Sequence, residues 1–133
     1  MATARPRRIN VVDPVLLIRI NQLYRPGMSG QALYEVTRGI WKVGGARRER
    51  VKYALAVFGG IVLEVFAVDH WAPAGTSRYV TRDDISQRDL RNRWEFTGSI
   101  APPGVRSRYR GGSVARYFRS GNRNPVMYLK VAG

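Results

Sequence analysis

The chain is predicted to fold as α+β, with five or six strands curled into a small barrel-like antiparallel or mixed sheet and two or three short helices. Three observations carry that expectation. Two apolar strand-like runs, 52–58 (KYALAVF) and 61–68 (IVLEVFAV), are separated only by Gly59-Gly60. Helical periodicity is confined to short stretches, the clearest at 31–38. No βαβ period recurs, which disfavours a Rossmann-like sheet. A hydrophobic content of 44% over 133 residues suits one compact domain with a real core.

The elements follow in order. Residues 1–10 begin MATARPRR and read as a flexible basic arm ahead of a single domain over 11–133. Such an arm can lie on phosphates, and a frayed terminus fits equally. Residues 15–21 (VLLIRIN) have strand character, and Pro26-Gly27 marks a turn. Ser29 suits the N-cap of a helix over 31–38, with Leu33 and Val36 inward and Gln31, Glu35 and Arg38 outward. Gly39 ends it. A short strand is expected at 41–43, then a break at Gly44-Gly45, then a helical turn or basic loop at 46–51 (ARRERV).

Gly-Gly permits positive φ at both turn positions, so 52–58 and 61–68 form a tight hairpin. Within it Glu64 must find solvent or a partner if Leu63 and Val65 face the core. Residues 69–91 read as a long polar connection with one helical turn around 83–90; loops of that length are often functional. Residues 92–100 (NRWEFTGSI) form a strand with Trp94, Phe96 and Gly98 on one side. Short helices or turns follow at 102–109 and 113–119, divided by Gly111-Gly112, with Pro102-Pro103 suiting a helix start. Residues 125–131 form a closing strand.

Charge points to function. The chain has 23 Lys and Arg against nine Asp and Glu, a net charge of +14. A GC-rich genome explains arginine over lysine but not the surplus of positive charge. From Phe96 onward there is no acid, and Tyr109, Tyr117, Phe118 and Tyr128 are interleaved with the cations. Cations mixed with rings suit a polyanion and its bases, so the expected partner is DNA or RNA. An anionic membrane surface or an acidic protein is the alternative.

The absence of cysteine excludes disulfides and thiolate zinc, and a single histidine, His70, excludes a two-His metal motif. No cofactor is expected. No 18-residue apolar run exists and no secretory apolar region follows the basic N-terminus, so a cytoplasmic protein is expected. Asp69-His70 forms no triad, since no serine has an elbow context.

The candidate phosphate ligands are Arg38, Arg47, Arg48, Arg106, Arg108, Arg110, Ser113, Arg116 and Arg123. Arg119 belongs to the same basic run. Arg38 could instead compensate a helix dipole, and 47–50 could be a solvated turn. The Gly111-Gly112-Ser113 step could present backbone N–H groups to a phosphate. For a base pocket the candidates are Tyr34, Trp41, Trp71, Tyr79 and Asn124. The competing reading is that the rings are core and that Asn124, before Pro125, is ordinary turn chemistry.

Several stretches together carry a likeness. They are Tyr34-Glu35-Val36-Thr37-Arg38-Gly39-Ile40-Trp41, the Tyr53-Ala54-Leu55-Ala56-Val57 strand, Ile61-Val62-Leu63-Glu64-Val65-Phe66, and Trp71 with Pro73, Ala74 and Gly75. Arg93-Trp94-Glu95-Phe96-Thr97-Gly98, Arg108-Tyr109-Arg110-Gly111-Gly112-Ser113-Val114, Tyr117-Phe118 and Asn124-Pro125 complete them. The pattern resembles a small bacterial domain found alone or behind a GIY-YIG nuclease domain. More loosely it is similar to PUA-like domains of the EVE and ASCH type. The resemblance implies a PUA-like barrel that reads DNA non-catalytically, including modified or flipped bases, in a restriction or defence setting. It also implies a nuclease as a candidate partner protein. An RNA-binding PUA-like module and a nuclease or base-processing enzyme are the alternatives. No GIY…YIG pair occurs in this chain, so nuclease activity does not carry over.

Overall fold

The computed structural model describes residues 5–118 and 121–132. One six-stranded mixed sheet organises them. Its strands are β1 (Val15–Arg19), β2 (Gly39–Trp41), β3 (Tyr53–Phe58), β4 (Ile61–Pro73), β5 (Trp94–Ile100) and β6 (Val126–Leu129). They lie in the order β2-β5-β4-β3-β1-β6. Only β1 and β3 run parallel; every other pair is antiparallel. Helix α1 (Gly30–Arg38) and helix α2 (Pro103–Tyr109) pack on it, and single 3-10 turns occupy Ala46–Arg50, Gln87–Leu90 and Ala115–Tyr117. The expected α+β class with a small curled sheet is what the chain forms.

The sheet is buried on both faces, which explains why β1 reads as an unbroken apolar run rather than an alternating one. Leu16 and Ile18 point to one core with Phe66, Trp71, Phe96 and Val36 of α1. Val15 and Leu17 point to the other, with Leu55, Val57, Val65, Val114, Ile9 and Tyr109 of α2. The hairpin turns at Gly59 (φ 57°) and Gly60 (φ 79°), the left-handed values a two-residue turn demands. Ser29 caps α1 by accepting the Ala32 N–H at 3.1 Å. Gly39 ends that helix in extended backbone and leads directly into β2.

Three boundaries differ from the sequence reading, the smallest being β2, which spans Gly39–Trp41 rather than 41–43. Strand β4 continues to Pro73, because a register shift between Val68 and His70 lets it keep pairing with β5. The bulge turns Asp69 and His70 to solvent, so this stretch is strand rather than the start of the long connection. Residues 7–9, expected in a loose arm, are docked. Ile9 is 2% exposed, its N–H donates to the Ser113 carbonyl, and the Ser113 N–H donates to the Arg7 carbonyl. Residues 1–4 of that arm, and Arg119, lie outside the described residues.

Candidate nucleic-acid interface

The curl leaves the sheet open between its edge strands, β2 and β6. A cleft of about 580 Å³ occupies this seam, lined by Trp41 of β2 and Arg93 on one side and by Arg19, Arg123 and Pro125 on the other. Arg19 holds the 122–125 segment against β1, donating to the Asn122 carbonyl at 2.7 Å and to that of Asn124. A second opening of about 630 Å³ adjoins it through Arg93 and is lined by Lys42, Arg88, Asp89 and Arg91. The two clefts thus carry Arg19, Lys42, Arg88, Arg91, Arg93 and Arg123 against one acid, Asp89. Among the described residues none of these six cations forms an ion pair. Asp89 is itself held by the Ser86 hydroxyl and N–H, which keep its carboxyl below its ordinary range.

The seam is closed elsewhere by the 3-10 turn Ala46–Arg50. The Arg48 guanidinium sits 3.4 Å from the ring centre of Trp94 in β5, and that of Arg47 sits 4.3 Å from Tyr128 in β6. Arg48 also donates to the Val43 and Gly45 carbonyls, and Arg50 to that of Ala132. Arg47 and Arg48, expected on phosphates, therefore act as a clasp between β5, next to one edge, and β6, at the other.

Most of the other expected phosphate ligands are engaged inside the fold. Arg38 is 3% exposed, paired with Glu95 at 3.4 Å and stacked 3.8 Å from the Tyr79 ring. Arg106 makes a two-pronged bond to Glu64 at 2.8 and 2.9 Å, and Arg110 lies 3.8 Å from the same carboxylate. This is the partner that Glu64 required. Arg108 pairs with Asp13 at 2.6 Å, and Arg116 donates to the Ile9 carbonyl at 2.8 Å. The N–H groups of Gly111, Gly112 and Ser113 all donate to carbonyls of the fold, so the expected phosphate cradle is filled by the protein's own backbone. Of the expected set, Arg123 alone lines the seam.

The expected base pocket does not assemble. Tyr34 packs 5.4 Å from Phe66 and its hydroxyl accepts the Gly98 N–H. Trp41 is 8% exposed and donates its indole N–H to the Thr37 carbonyl; Trp71 is buried against Phe96. Tyr79 lies under Arg38 and donates to Glu95; burial pushes its hydroxyl up, and the Glu95 charge adds to that against Arg38 and Arg82. The Asn124 side chain caps the Val126 N–H, as turn chemistry predicts.

Glu35 and Glu95 instead pin the connection over 74–93. Glu35 accepts from the Val80 and Thr81 N–H groups, the Thr81 hydroxyl and Gln31. Burial alone raises its pKa, but these bonds outweigh burial and bring it to about 2. Glu95 accepts from the N–H groups of Gly75 and Ser77 and from the Ser77 hydroxyl; with Arg38 these overcome burial and lower its pKa. Arg82 binds Asp84 and the Gly39 carbonyl. Among the described residues no three His, Asp or Glu side chains cluster as metal ligands.

Arg88, Arg91 and Arg93 are not among the expected phosphate ligands, although they sit together in RDLRNR, within and just beyond the long polar connection. Arg19 and Lys42 carry no sequence signal, since only the curl unites them. No protein-family model matches the chain, and comparisons with curated proteins and with solved structures find no match.

Proposed function

We propose that this is a nucleic-acid-binding domain that holds phosphates along its seam without catalysis of its own. One observation carries the reading: six cations without ion pairs meet in two adjoining clefts that contain a single acid. Like charges gathered in one place repel one another, and a polyanion relieves that repulsion. DNA in a restriction or defence setting is the form the resemblance favours, with RNA as the other ligand to be measured. A cytoplasmic location goes with either.

The test is fluorescence anisotropy with labelled DNA and RNA over a range of salt concentrations, with and without magnesium. If most of the six cations meet phosphate, the logarithm of affinity against the logarithm of salt has a slope of about −4 to −5. Replacing Arg93 and Arg123 together by alanine makes that slope shallower by about 1 to 2. A slope near zero, or one that ignores this double variant, overturns the reading. Turnover of the oligonucleotide overturns its non-catalytic part.

A further inference from the structure

We infer that Phe58 is a base-stacking platform beside the seam cleft, so that the nucleic acid bound there presents at least one unpaired base. This inference rests on the nucleic-acid reading above and adds the class of ligand.

Among the described residues Phe58 is the one exposed phenylalanine, tyrosine or tryptophan, at 38%. Other rings near the surface already carry a guanidinium: Arg19 lies 4.4 Å from Phe118, Arg47 4.3 Å from Tyr128, Arg48 3.4 Å from Trp94 and Arg116 4.4 Å from Tyr117. A face so covered cannot take a base. Phe58 has no such cover.

Its position is fixed relative to the cleft. Phe58 packs against Tyr24 with ring centres 4.7 Å apart. The Tyr24 N–H donates to the Ile20 carbonyl, closing one turn that also carries the cleft residues Asn21 and Gln22. Asn21 accepts the Gly59 N–H through Oδ1 at 3.3 Å, tying the hairpin turn to the cleft wall. On the other side the Gly60 carbonyl accepts the Val114 N–H. The ring is therefore held at a hairpin tip tied to the wall of the seam cleft, whose Arg123 and Arg93 can take phosphates of the same strand. Preorganised stacking of this kind is worth about five- to 150-fold in affinity per base and tolerates any sequence.

The experiment compares the parent chain with Phe58→Leu and Phe58→Tyr, using a single-stranded thymidine oligonucleotide and a blunt two-strand duplex of equal charge. Phe58→Leu keeps an apolar group but loses the flat face. It is expected to weaken single-strand binding about fivefold or more and to leave duplex binding unchanged, while Phe58→Tyr retains both. A 2-aminopurine probe in the single strand is expected to be quenched by the parent and not by Phe58→Leu. Equal single-strand affinity for parent and Phe58→Leu, with both oligonucleotides still bound, overturns the stacking role and leaves phosphate binding intact. Failure of the parent to bind either oligonucleotide at low salt overturns both.

Discussion

Replacing Arg106 by alanine is expected to damage the fold and spare the interface, the reverse of what its place in a basic C-terminal run suggests. Glu64 is 6% exposed on β4 and receives two bonds from Arg106. Removing one partner of a buried pair costs about 3–5 kcal/mol. Here the Arg106 side chain is 36% exposed and Arg110 remains 3.8 Å from the carboxylate, so solvent screening and the second guanidinium recover part of it. The remaining cost is about 1–3 kcal/mol. With 133 residues the unfolding entropy is about 280 cal/mol/K, so each kcal/mol lowers the unfolding midpoint by about 3.5 °C. The expected drop is about 4–10 °C. Circular dichroism during heating and in urea measures it, alongside oligonucleotide affinity well below the midpoint. The double variant Glu64→Leu with Arg106→Leu should recover most of the loss, because no buried charge is left unpaired. A variant that melts with the parent yet binds tenfold more weakly refutes the assignment.

Three other outcomes are expected. Gly98→Ala puts a Cβ 2.0 Å from the Ala67 carbonyl oxygen, a backbone atom that cannot swing away. It should cost about 1–3 kcal/mol or more and raise amide exchange at the β4–β5 bulge; normal stability would show that the strands separate there without penalty. Acid should loosen the protein. Glu35, Glu64 and Glu95 have pKa values below their ordinary 4.5 in the folded state, so the folded chain binds fewer protons than the unfolded one. Their contribution is complete above about pH 5 and fades as pH falls from 4.5 toward about 2, which a urea midpoint unchanged between pH 7 and pH 3 would contradict. Arg48→Ala uncovers the Trp94 ring, so indole emission should move to longer wavelength with a loss of about 1–2 kcal/mol; unmoved emission would deny the clasp.

What could be read from sequence was what local chemistry decides. Gly59-Gly60 between two apolar runs announced the hairpin, and Ser29 the start of α1. The tension at Glu64 was visible too, since a carboxylate between two core residues demands a partner. Its partner was not visible, because Arg106 reaches it only once α2 lies across β4, forty-two positions along the chain. The same distance effect hid the interface. The cations after Glu95, with no acid among them, look like a free surface, yet three of them take acids from earlier elements: Arg108 takes Asp13, and Arg106 and Arg110 take Glu64. Trp41 and Trp71 look like pocket residues because glycine and proline flank them; packing against α1 and β5 buries most of both, and Trp41 keeps only an edge on the seam cleft.

The pairing of β1 with β6 has a consequence for biosynthesis. Val15 lies opposite Leu129 and Ile18 opposite Val126, so an early strand waits for the last one before its outer edge is covered. Until residues 126–129 leave the ribosome, the backbone of β1 offers a bare ladder of hydrogen-bonding groups to any neighbouring chain. Closure of this sheet in the cell therefore follows synthesis of residues 126–129, and slowing their emergence should raise the fraction of product found in aggregates.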